Sequence, residues 1–520
     1  MPLPENLGHL FDVPLQIQPT APAVLQDDVV LRFKDLDERC NRMANALVSL
    51  GIGPGDRVAL MFSNDYRFIE SLLGAMRLGA VPVPLNIRMG DEAITYVVVD
   101  SEAVALIANS EMAARAHSLV PQFARVRHFI VDGEATGKAL NYDQMLRQAS
   151  PLFARRKTGF DEVCLQPYTS GSTGKPKGVL LTHGGQIWNI DLLRKLEAFD
   201  ESERALVAVP LYHKNAMLGA VKPMLLCGGS LVILPGFDPV QVIRSIARYR
   251  VTYMTGVPAM FSRILSQKEE LSRNDVKSLR YAVCGSAEVS EELVAEFQRT
   301  FPEATIAESY GLTEGGPDPI SNCRYGLIKR GSCGRQIPGS DVKIVGEDGV
   351  TELGPNEVGE LITRNPGLAK GYWKLPEVTK KKFRDGWLYT GDLMRRDEDG
   401  FFYFVGRQDD MINVSGENVY PKEIVDILLR HPSVREAYVV PIRHPIKGAV
   451  PVAFVVQSGT GGTSAEELKQ FYLNYGAPYA YPRRIYFLDS MPLGGTGKID
   501  RAQLEKLAAE FEEKGQHEPV

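Results

Sequence analysis

Tyr168-Thr169-Ser170-Gly171-Ser172-Thr173-Gly174-Lys175-Pro176-Lys177-Gly178 joins paired hydroxyls, glycines and two lysines in one short run. Glycine lets a loop turn tightly and brings backbone N–H groups against a polyphosphate. Hydroxyls donate to phosphate oxygens, and lysines supply positive charge. The apolar runs Val163-Cys164-Leu165 and Val179-Leu180-Leu181 flank the segment, so the loop is expected between buried strands. A flexible surface hairpin would account for the glycines. It would not account for the ordered hydroxyl–glycine–lysine series.

A Walker loop needs Gly-x-x-x-x-Gly-Lys followed by Ser or Thr, whereas Lys175 precedes Pro176. The second candidate, Gly497-Lys498, has Pro492 where the first glycine belongs. No Gly-x-Gly-x-x-Gly stands between a strand and a helix, so a dinucleotide fold loses its main support. Residues 168–178 resemble the phosphate loop of the adenylate-forming enzymes: acyl-CoA synthetases, luciferases and peptide-synthetase adenylation domains.

A chain of 520 residues exceeds what one hydrophobic core holds and predicts two or more domains. Hydrophobic residues at 44% and charged residues at 24% are ordinary for a soluble globular protein. A net charge of −5 with no basic run argues against a nucleic-acid partner. Cys40, Cys164, Cys227, Cys284, Cys323 and Cys333 form no C-x-x-C pair and read as reduced thiols, not zinc ligands. Met1-Pro2-Leu3-Pro4-Glu5 lacks a secretory pattern, and no apolar run is long enough to span a bilayer, so a cytoplasmic protein is expected.

Residues 30–240 alternate helical and strand patterns, which predicts an α/β fold of layered helices and largely parallel sheets. Leu36, Cys40, Met43, Ala44 and Leu47 recur at helical spacing, and Gly51 stops that helix. A strand Val58–Phe62 and a helix through Phe68, Leu72 and Met76 follow; Ala80–Leu85 carries prolines that suit a sheet edge. Residues 330–405 change to short strands and turns, a β-rich subdomain. Past Gly406 a small α+β unit is expected, with a helix opening at Pro421 and a strand pair 437–440 and 453–456. Ser464 and Glu467 supply a capping-box pattern for a further helix. The resemblance covers nearly the whole chain: an adenylation domain over 1–406, a hinge at 407–410, and a mobile domain over 411–520.

Glu308-Ser309-Tyr310-Gly311-Leu312-Thr313-Glu314 ends a strand-like segment with a hydroxyl, an aromatic, a glycine and a carboxylate. Thr313 can bond a phosphate oxygen, Glu314 can hold Mg²⁺ and Tyr310 can stack on a base. The run is similar to the family's Tyr-Gly-x-Thr-Glu motif, which marks all of 308–311, 313 and 314 as nucleotide-side positions, with Glu314 and Thr173 beside the metal. In Trp387-Leu388-Tyr389-Thr390-Gly391-Asp392 an acid follows a tight turn; on these residues alone an Asx-turn is the simpler account. The resemblance makes Asp392 the acceptor for the ribose hydroxyls, with Arg407 assisting.

Gly406-Arg407-Gln408-Asp409-Asp410 reads as a polar linker, and the resemblance makes Asp409 the hinge whose backbone rotates between half-reactions. Met491-Pro492-Leu493-Gly494-Gly495-Thr496-Gly497-Lys498 is a Gly-rich loop with one lysine, and the resemblance makes Lys498 catalytic. When a carboxylate attacks the α-phosphorus of ATP two anions meet, and a preorganised ammonium between them relieves the repulsion. In Pro210-Leu211-Tyr212-His213-Lys214-Asn215, His213 matches the gate of the carboxylate pocket; Lys214 is unusual there. Gly285, Ser286 and Ala287 match a stretch lining the acyl and adenine pockets.

Families that use CoA commonly carry Ser-Gly-Gly after Asp-Met-Ile, whereas this chain has Val414-Ser415-Gly416. Ser415 and Gly416 thus map to the pantetheine tunnel with one departure, and Arg88 matches a position near the CoA phosphates in some members. The resemblance implies a ligase that uses ATP, Mg²⁺ and coenzyme A to join an aromatic or medium-chain carboxylic acid to CoA; it leaves a homodimer open. Two alternatives are an adenylation enzyme that loads a carrier protein and a catalytically silent nucleotide sensor. Lys498, Glu314, Asp392 and Arg407 together speak against the silent sensor.

Overall fold

The structure, a computed structural model, describes residues 2–133, 137–170, 175–285, 289, 291–316, 318–414, 417–444, 448–458, 462–494 and 499–513. The chain divides into two compact units, Met1–Val342 with Thr363–Tyr389 and Lys343–Ile362 with Thr390–Val520.

In the first unit the helix Phe33–Ser49 buries Leu36, Cys40, Met43, Ala44 and Leu47 on one face. It ends before Gly51, whose φ of 72° is left-handed. Five strands follow in the order Val81–Pro84, Arg57–Met61, Ala105–Ala108, His128–Val131 and Leu140–Asn141, all pairing parallel. The proline-bearing strand is an edge, because Pro82 and Pro84 have no N–H to give to another strand on that side.

A nine-stranded sheet forms the rest of this unit's frame. Its parallel centre comprises Ser230–Ile233, Arg204–Val207, Tyr253–Gly256, Tyr281–Gly285 and Thr305–Tyr310. Ala205, Leu206, Val207, Leu231, Val232 and Ile233 are at most 1% exposed, so both faces of these strands are covered. That explains their continuous apolar runs. The antiparallel strands Ile320–Ser321 and Arg335–Gln336 close one end.

The β-rich stretch, with strands Asp341–Val345, Gly359–Arg364, Trp387–Arg396 and Phe402–Arg407, falls mostly in the second unit. Beyond them Val434–His444 and Gly448–Gln457 form a long antiparallel pair, and Arg484–Phe487 joins parallel to the latter. The helices Pro421–Leu429 and Ala465–Tyr475 cover this sheet. Ser464 caps the second of them by accepting from the Glu467 N–H over 3.2 Å. Glu467 does not follow the reciprocal box geometry, because its carboxylate accepts from the Thr463 hydroxyl at 2.8 Å. None of the six cysteines is in a disulfide, and four of them are buried. No described helix is long and apolar enough to cross a membrane.

Candidate active site

The two arms of the segment expected to bind phosphate form a hairpin's strand pair. Tyr168–Ser170 pairs antiparallel with Pro176–Gly178, placing Thr169 opposite Lys177. Gly171, Ser172, Thr173 and Gly174 lie outside the described residues. The flanking apolar runs pair behind it, Leu165 opposite Leu181. The hairpin base is anchored by the Tyr168 hydroxyl, which donates to Asp100 Oδ2 at 2.6 Å. Burial, reinforced by that carboxylate, drives the Tyr168 phenol well above its usual range. Lys175 Nζ stands 5.4 Å from the Tyr96 ring centre and Lys177 Nζ 5.9 Å from that of Tyr372, so both ammoniums keep to the hairpin's surroundings.

The second motif meets the first. Thr305–Tyr310 runs parallel to Tyr281–Gly285, with Gly285 in register with Ser309. A Cβ on Gly285 would come within 2.9 Å of the Ser309 carbonyl oxygen, so only glycine allows this approach. After Tyr310 the chain makes a short turn, Thr313–Gly315, which carries Glu314. Glu314 Oε1 accepts from the Tyr372 hydroxyl at 2.9 Å and from Thr169 Oγ1 at 3.4 Å. One carboxylate therefore ties together the hairpin, the turn and a tyrosine from far along the chain. Carboxylate and hydroxyl oxygens are hard donors of the kind Mg²⁺ accepts, so Glu314 and Thr169 fit a site completed by substrate phosphates and water. Among the described residues no group of three or more His, Cys, Asp or Glu is arranged to hold a metal alone.

In the second unit Asp392 and Arg407 face each other across antiparallel strands. Arg407 Nη1 donates to Asp392 Oδ1 at 2.8 Å, and its Nε donates to Asp409 Oδ1 at 2.9 Å. Gly391 has φ 74°, which turns the chain just ahead of the acid. The hydroxyl of Thr390 accepts from the Asp392 N–H at 3.0 Å, so a neighbour already supplies this turn's side-chain contact. The Asp392 carboxylate is buried, while Arg407 and Asp409 reach solvent.

A pocket opens in the first unit between the strands Tyr253–Gly256, Tyr281–Gly285 and Thr305–Tyr310 and the helical segment from Lys214. His213 caps that segment by accepting from the Asn215 N–H at 3.3 Å. Lys214 points at Asp318, Nζ to Oδ1 3.3 Å, and both side chains line the pocket. Glu197 also borders it; burial pushes this carboxyl up to about 7 even though its Oε2 accepts from the Arg324 N–H at 3.1 Å. Ser309 and Gly311, from the second motif, complete the rim. Arg88 is exposed, and its charge reaches Tyr212.

The structure thus joins Thr169, Lys177, Glu314, Ser309 and Gly285 in the first unit, and Asp392, Arg407 and Asp409 in the second. Ser286, Ala287, Ser415, Gly416 and Lys498 lie outside the described residues, and of Ser170 only the backbone is described. Sequence reasoning missed Tyr372, Asp100, Asp318 and Glu197. Tyr372 and Asp100 come from distant segments and carry no local signal. Asp318 could have been suspected from the odd lysine at 214, which needs a counter-charge in an apolar pocket.

Residues 11–373 match the family model for the AMP-binding enzyme, and residues 423–498 match that of the AMP-binding enzyme C-terminal domain. A feruloyl-CoA synthase of Amycolatopsis sp is 34% identical, over 94% of this chain and 96% of that protein. 4-Coumarate–CoA ligase 5 of Oryza sativa subsp. japonica is 31% identical, over 92% of this chain and 90% of the other. An anthranilate CoA ligase solved with anthranoyl-AMP superposes with a TM-score of 0.91 at 28% identity, covering 98% of this chain and 99% of that one.

Proposed function

We propose that this chain, which belongs to the AMP-binding enzyme family, is an ATP-dependent acid–CoA ligase that releases AMP and pyrophosphate. The observation that carries the reading is the meeting of Thr169, Glu314 and Tyr372 beside a pocket that can take an organic acid. Its relatives named above act as CoA ligases on aryl acids, which supports an aromatic or medium-chain monocarboxylate as substrate.

The chemistry follows from charge. The hairpin with Lys175 and Lys177 binds the triphosphate. Glu314 and the Thr169 hydroxyl would hold Mg²⁺, whose charge offsets that of the phosphates when it is bound. The carboxylate of the acid attacks the α-phosphorus, forming an acyl-adenylate and pyrophosphate. Lys498 is assigned the relief of the repulsion between the two anions in this step. Asp392, oriented by Arg407, accepts from the ribose hydroxyls. The CoA thiol then attacks the acyl carbon and AMP leaves. AMP activates the carbonyl, so no side chain needs to act as nucleophile.

Arg88, Ser415 and Gly416 are assigned to CoA, His213 to the carboxylate gate, and Gly285, Ser286 and Ala287 to the pocket wall. Asp409 is assigned to the hinge between the two half-reactions. Six cysteines outside any disulfide fit a reducing compartment, which supports a cytoplasmic enzyme. Acid-dependent exchange of labelled pyrophosphate into ATP tests the first half-reaction: exchange that requires the acid supports it, and exchange with no acid in a broad panel would remove it.

A further inference from the structure

Resting on the ligase reading, we propose that the acid this pocket accepts carries a neutral hydroxyl on its tail, held between Lys214 and Asp318.

The ion pair is not a surface pair. The side chains of Lys214 and Asp318 are 19% and 17% exposed, and both line the pocket. Leu193, Phe199, Leu218 and Val283 supply apolar walls around them. A tail entering this space takes the remaining water from the ammonium and the carboxylate. A hydrocarbon tail gives no hydrogen bond in return, which leaves charged groups undersatisfied. A hydroxyl satisfies both, donating to Asp318 Oδ1 and accepting from Lys214 Nζ.

Charge narrows the class further. A second carboxylate on the tail would face Asp318, with Glu308 on the same pocket wall. An ammonium would compete with Lys214 for Asp318. Only a neutral group that both donates and accepts leaves the existing pair intact. Asn215 and Thr255, hydrogen-bonded to each other at the wall, extend the polar stripe beside the pair. A site built to bond a substrate hydroxyl discriminates far more strongly than one that merely fits a methylene.

The test measures kcat/KM for acid-dependent pyrophosphate release. It uses ortho-, meta- and para-hydroxylated phenylpropanoic and benzoic acids, ω-hydroxyoctanoic acid, and their deoxy parents. Wild type should favour at least one hydroxylated acid over its parent by about ten-fold or more. In the Lys214→Met, Asp318→Leu double variant, which exchanges the pair for apolar groups of similar size, the ratio should fall below about three as the parent acid gains. A wild-type ratio near one for every pair overturns the inference without any variant and leaves the ligase reading standing. A ratio unchanged in the folded double variant also overturns it. If no acid releases pyrophosphate, the ligase reading falls and the inference with it.

Discussion

Asp392 and Arg407 sit opposite each other on neighbouring antiparallel strands, joined by a 2.8 Å hydrogen bond from Nη1 to Oδ1. The arginine fixes one carboxylate oxygen and thereby the direction of the other lone pairs. Charge-assisted bonds from ribose hydroxyls are worth roughly 1.5–3 kcal/mol each. Wild type should therefore prefer ATP over dATP by roughly ten-fold or more. In Asp392→Ala that preference should shrink. A residue that merely closes a turn would lower thermal stability and leave the ATP/dATP ratio alone, so the ratio in folded Asp392→Ala protein decides.

Lys498→Ala should lower adenylate formation by about 10²–10³ while largely sparing attack of CoA on a pre-made acyl-adenylate. The ammonium is needed where two anions converge, and the thiol step has no such encounter. Single-turnover rates for the separate half-reactions check this. Equal losses in both would remove Lys498 from its assigned role.

Asp409→Pro should act in the opposite sense. Proline holds φ near −65° and removes an N–H, which locks the backbone where rotation is proposed. Adenylation should survive and thioester formation should fall steeply. Asp409→Ala, which removes the 2.9 Å contact with Arg407 but leaves the backbone free to rotate, is the control and should retain both steps. Normal thioester formation by the proline variant would place the hinge elsewhere.

The alternation of strands and helices, the edge position of the Val81–Pro84 strand and the long pair in the last hundred residues were legible because periodicity and proline chemistry are local. The two segments proposed for phosphate binding stood out as motifs, yet their junction did not. Thr169 and Glu314 meet only because the fold sets an antiparallel strand pair against the turn that follows the strand Thr305–Tyr310, and the Tyr372 hydroxyl arrives from beyond both. The capping box was half legible, since nothing in Ser464 and Glu467 reveals that the Thr463 hydroxyl competes for the carboxylate. Glu197 could not be read from sequence at all, because what distinguishes it from other glutamates is burial.

Burial raises the Glu197 carboxyl from 4.5 to about 7. Between those values the folded state holds a proton that the unfolded state releases, so this group makes stability fall as pH rises through the window. His183 acts with the other sign: burial lowers it from 6.5 to about 4, and its contribution is lost as pH falls toward 4. Glu197→Gln should gain on wild type as pH rises from 4.5 to 7, by on the order of a kcal/mol per pH unit at most. Chemical denaturation of both proteins across that range measures the difference. A difference independent of pH would mean that Glu197 is not held protonated.

The most direct test of the central claim follows one oxygen atom. An acid that the enzyme accepts, labelled with heavy oxygen in its carboxylate, is turned over with ATP and CoA, and the nucleotide product is analysed by mass spectrometry. Attack of the carboxylate on the α-phosphorus followed by thiolysis predicts one labelled oxygen in AMP for each acyl-CoA formed, with none in pyrophosphate. Label in inorganic phosphate with ADP as the nucleotide product, or acyl-CoA formed with unlabelled AMP, would contradict it.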